Sequence, residues 1–107
     1  MRQAICAALL LSTALPAQVA SNASDFMRAS MQAMVRMDHE MAAAPMVADV
    51  DHNFAVMMIP HHSGAIDMAK AELAYGKDPV MRRMAQEILV EQQSEIDAMN
   101  LWASKKH

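Results

Sequence analysis

Tyr75-Gly76-Lys77-Asp78-Pro79 is the stretch that decides the fold. Gly76 predicts a helix stop, because glycine reaches the left-handed backbone that ends helices cheaply. Asp78 is a good amino-terminal cap, and Pro79 is pre-set for the first helical position. Two long helices therefore meet across a very short turn. Towards the carboxyl end the helix continues to about Ser104, with Met81, Met84, Ala85, Ile88, Leu89, Ile96, Met99 and Trp102 on its apolar side. Gln92 and Glu95 lie on or beside that side, and polar groups facing a core need partners. Glu87, Glu91 and Asp97 read as a solvated face.

Towards the amino end, the preceding helix reaches back from Tyr75 to Asp49 or Asp51. Pro60 interrupts it and predicts a kink, since proline lacks the N–H that would bond to the carbonyl of Val56. His61 and His62 follow at once. Met57 is four residues before His61 and Met58 four before His62, which places a thioether on the same side as each imidazole. Met68 lies seven residues beyond His61, on its side again. Adjacent helical residues point about 100° apart, so the two histidines do not easily clasp one ion. Either one is a ligand, or the kink re-aims them, or they serve two sites. The plainer alternative is a pair of structural histidines bonded to a carboxylate on a neighbouring helix, because unpaired imidazoles in a core are expensive. The surrounding sulfurs favour metal ligation by at least one of them.

A first helix is predicted from Ser24, its cap, with Asp25 suited to a helix amino end, to about Ala44 before Pro45. Met27, Met31, Met34, Met37 and Met41 are spaced by four, three, three and four, one helical stripe. Phe26 and Ala33 flank it, while Arg28, Arg36 and Glu40 fall outside. Such a stripe is the ordinary pattern of a core-facing side. Its being almost all methionine is what that reading leaves unexplained.

Composition sharpens the point. Twelve methionines follow Met1, against three leucines (Leu73, Leu89, Leu101) after residue 23. Leucine is normally the commoner core residue, and thioether sulfur is a soft ligand that favours Cu(I). Residues 1–23 read as a secretory signal: Arg2 gives a positive start, and Ala4 to Leu15 form an apolar run too short for a permanent span. Cleavage after Ala20 or Ala23 fits, and it would remove Cys6, the one cysteine. Disulfides and thiolate sites are then excluded, which leaves thioether, imidazole and carboxylate ligands. Without Arg2 the 9 basic residues become 8 against 12 acidic ones, a net charge of −4 with histidines neutral. That balance argues against nucleic acid and mildly attracts cations. The remainder, 24–107, is one small domain, all-α, and chains of this size often gain stability from a metal or from self-association.

The stretch Asp51-x-x-Phe54 through Met57-Met58-Ile59-Pro60-His61-His62-x-x-Ala65-Ile66-x-Met68-Ala69 resembles the signature of the bacterial family called domain of unknown function 305. Gly76-Lys77-Asp78-Pro79, Ala85-x-Glu87-Ile88 and Gln92-x-x-Glu95-Ile96-x-x-Met99-x-x-Trp102 are similar to its carboxyl half. The resemblance implies a ferritin-like, up-down bundle of three main helices, exported to the periplasm. It also implies a role in copper binding or tolerance, as in members of the CopM type. It carries metal ligation onto His61, His62, Met57, Met58 and Met68, and onto Gln92, Glu95 and Met99. Many members have a methionine–histidine motif in the first helix, and Met34, Met37, Asp38, His39 and Met41 stand there in this chain. His39 points away from Met37 and Met41, so it reads as surface-facing or as part of a separate weak site.

Three functions compete. The first is a periplasmic copper-binding protein that buffers, sequesters or carries the ion, Cu(I) preferred and Cu(II) left open, exchanging it with a copper exporter or another periplasmic carrier. The second is a ferritin-like enzyme, disfavoured because the di-iron bundle wants paired Glu-x-x-His motifs and none occurs; Asp49-x-x-His52 is a partial echo. The third is a non-catalytic, methionine-rich interaction module that binds a partner protein without metal. The expectation is the first, with no enzyme activity, no nucleic acid, no stable membrane span, and a homodimer left open.

Overall fold

The computed structural model describes residues 17–105, which form three helices and no strand: α1 (Ala17–Ala43), α2 (Val50–Tyr75) and α3 (Pro79–Ser104). The chain is an all-α, small helical bundle. Most of the expected export signal, including Cys6, lies outside the described residues. None of the helices described is long and apolar enough to cross a membrane.

The second and third helices begin where their capping residues predict. Asp49 accepts from the N–H groups of Asp51 (2.9 Å) and His52 (3.4 Å). Asp78 accepts from Val80 (2.9 Å) and Met81 (3.0 Å), with Pro79 opening the helix. Each carboxylate satisfies donors that the first turn leaves without a partner. Asn53 ties down the α1–α2 loop by exchanging two 2.8 Å bonds with the Val47 backbone.

Three expectations are corrected. α1 is already helical at Ala17, the first described residue, and passes through Ser24 without a cap, because Ala17–Ala23 holds neither proline nor glycine. Gly76 ends α2 in an extended conformation (φ −77°, ψ 159°), not a left-handed one. The stop is secured instead by Arg82, whose guanidinium donates to the carbonyls of Leu73 (2.6 Å) and Gly76 (3.2 Å). Third, the α1 methionine stripe does not fill the core. Met27, Met31 and Met34 are exposed, and the buried residues of α1 are Ser30 and Ala33.

α2 is the central helix. α1 packs on one side of it and α3 on the other, and among the described residues α1 and α3 share no packing seam. The buried apolar set is Ala33, Ala55, Ile66, Ala69, Ala71 and Ala85. Small side chains allow close helix approach, and they make up most of the buried set. Pro60 and Gly64 are buried in α2 on its α1 side. Met37 lies over Gly64, its sulfur 3.0 Å from where a glycine Cβ would stand. Arg36 forms an ion pair with Asp67 beside that contact. Arg36 therefore reaches the partner helix, although the sequence pattern placed it merely outside the stripe.

Candidate functional site

His61 and His62 diverge, as neighbours on a helix must. His62 turns to α3, where its Nε2–H donates to the Glu95 carboxylate, and its side chain is only 13 % exposed. A carboxylate only accepts, so Nε2 carries a proton, and in the neutral ring the lone pair is then on Nδ1. That Nδ1 is buried and has no hydrogen-bond partner among the described residues. Gln92 Oε1, three residues before Glu95 on α3, is buried and unpartnered in the same way. Glu95 thus faces a histidine of α2, as a polar residue beside the apolar side of α3 requires.

A histidine whose one ring nitrogen donates to a carboxylate while the other offers a lone pair is the usual posture of a metal-ligating imidazole. The residues that share its side are soft donors. Met58 lies one turn before His62, and Met99 one turn after Glu95; both are half-buried. His61 is exposed, its ring 6.0 Å from that of His62 and tilted by 60°. It carries no hydrogen bond among the described residues. Met57, one turn before it, and Met68, about two turns after, share its side of α2.

The α1 candidates are placed differently. Met37 is committed to packing on Gly64. Met41 is half-buried, and His39 is exposed on the other side of α1, lining shallow clefts with Arg36 and with Pro60. Among the described residues no three His, Cys, Asp or Glu side chains gather to hold an ion. A soft ion, completed by thioethers, fits the donor set.

The helices assemble those thioethers on one side. Arg36–Asp67 marks one edge of the α1–α2 seam, and about 100° per residue puts Met27, Met34 and Met41 at the other edge. That edge adjoins the α2 side bearing Met57, His61 and Met68. On α3, Met81, Met84 and Met99 flank the same side. One groove is lined by all three helices: Phe26 of α1, Met68 and Glu72 of α2, and Met81, Met84 and Ile88 of α3. Met31 turns outward to a separate cleft beside Val35. Sequence reasoning missed Gly64 and the Arg36–Asp67 pair. A lone glycine inside a helical run signals close backbone approach, and that sign was there to be read.

An all-α bundle with an alanine interior and a sulfur-rich open side is the class this fold and site define. The chain belongs to the family described as Domain of unknown function (DUF305), which it matches over residues 4–103. It is also similar to a protein of Acanthamoeba polyphaga mimivirus described as Uncharacterized protein L153, with 44 % identity over 50 residues. That match covers 47 % of this chain and 33 % of the viral protein, so the matched part spans about a third of its relative's length.

Proposed function

We propose that this chain is an exported, non-catalytic copper-binding protein that buffers or carries copper, mainly Cu(I), through methionine and histidine ligands and so contributes to copper tolerance. The observation that carries this reading is the unpartnered Nδ1 of His62, with Glu95 orienting the ring from behind. Met58 and Met99 are the thioethers best placed to complete that station. His61 with Met57 and Met68 offers a second, open station suited to capture and release. Copper bound there gains soft donors that need no thiol and that survive outside the cytoplasm.

The test is a titration of the mature chain with Cu(I) against a chromogenic chelator under reducing conditions. Defined stoichiometry is expected, and a Met57→Leu/Met58→Leu double variant should keep its helicity but bind Cu(I) more weakly. Undiminished Cu(I) binding in that variant removes both sulfurs from the site. The competing reading, a methionine-rich module for a partner protein, predicts no metal preference and partner binding that survives His61→Ala with His62→Ala.

A further inference from the structure

We infer that the exposed methionines form a rechargeable sink for two-electron oxidants such as hypohalous acids, independent of any bound ion. Among the described residues seven methionines are exposed, from Met68 at 38 % to Met27 at 60 %, and none belongs to the buried set. In most proteins methionine sits in the interior, where a sulfoxide disrupts packing. Here the interior is alanine and Ile66, so oxygen added to Met27, Met34, Met81 or Met84 enters solvent rather than a seam. The described residues contain no cysteine to compete for the oxidant.

The chemistry balances at each sulfur. Hypochlorous acid delivers one oxygen to the thioether, the O–Cl bond breaks, and chloride and a proton leave. Sulfur loses two electrons and chlorine gains them. A thiol-dependent methionine sulfoxide reductase supplies two electrons and two protons to restore the thioether and release water.

Met37 sets the limit of the sink. Its sulfur, Cγ and Cβ lie 3.0 to 3.2 Å from the Cβ position of Gly64, which leaves no room for a sulfoxide oxygen on that side. An oxygen added to Met37 on the Gly64 side would push α1 away from α2, so the reservoir is useful only while the exposed sulfurs react first.

The experiment adds hypochlorous acid to the mature chain, 24–107, and follows intact mass, peptide maps and circular dichroism. Up to seven equivalents, the number of exposed methionines, each should add one oxygen at an exposed site with helicity unchanged. Those sites should react roughly tenfold faster than Met37, Met57 and Met58. Beyond that point Met37 is oxidised and α1 becomes open to limited proteolysis, while a Met37→Leu chain stays resistant. Reductase with dithiothreitol should return the mass to its starting value. Helix loss before the exposed set is filled, equal rates at Met37 and Met84, or failure of the reductase to restore the mass overturns the inference.

Discussion

Met37 and Gly64 face each other across the α1–α2 seam, the Met37 Cβ itself 3.1 Å from the place a Gly64 Cβ would occupy. Two effects oppose each other in Gly64→Ala. Alanine favours the helix by about 0.8–1 kcal/mol, while overpacking a tight seam costs about 1–3 kcal/mol. The Met37 Cβ is fixed to its backbone and cannot swing aside, so overpacking wins. Urea denaturation should show a net loss of about 1 kcal/mol. Measured in the background of Met37→Gly, which removes that Cβ, the same substitution should become neutral or stabilising; if it stays destabilising, the close approach is not the cause.

Glu95→Gln tests the orientation of His62. The amide keeps the shape but loses the charge-assisted acceptor that holds Nε2–H. Losing a carboxylate behind a ligating histidine typically weakens metal affinity by about 10–100-fold, so a drop of roughly tenfold in Cu(I) affinity is expected with helicity intact. Unchanged affinity in the competition assay would take Glu95 out of the site and leave it a structural partner only.

Metal removal should leave the fold standing. The buried set contains none of the proposed donors, so strong chelation ought not to reduce the helical signal. Added Cu(I) should raise the melting temperature with ligand concentration, as binding to the native state alone requires. Unfolding on chelation would mean that the ion, and not the alanine seams, holds the helices together.

Asp78→Ala should lower stability by about 1 kcal/mol through loss of the α3 cap, and Asp78→Asn should be nearly neutral. The chevron in urea is the measurement. A large loss in the asparagine variant would show that the negative charge, and not the capping bonds to Val80 and Met81, matters there.

The turn at Tyr75–Pro79 and the caps Asp49 and Asp78 were legible because capping is local chemistry, decided within four residues. The Glu95–His62 pairing was legible because a polar residue on an apolar side demands a partner. What the sequence pattern could not show is which side of α1 meets α2. Ala33 and Met34 are both apolar neighbours on that helix, and periodicity does not say which will be buried. The choice is made by size: Ala33 and Gly64 let the backbones close in, and the longer Met34 is left outside. Ser24 does not cap α1, because neither proline nor glycine between Ala17 and Ala23 stops the helix ahead of it.

α2 alone touches both of its neighbours, which makes the molecule a spine with two separate leaves. Among the described residues the two leaves approach each other only around the groove of Phe26, Met81 and Met84. Prising α1 off, by cleavage in the loop that Asn53 fastens or by a bulkier residue at position 64, would therefore leave the imidazole–carboxylate clasp between α2 and α3 in register. The chain can lose its grip on one leaf and still keep the other closed.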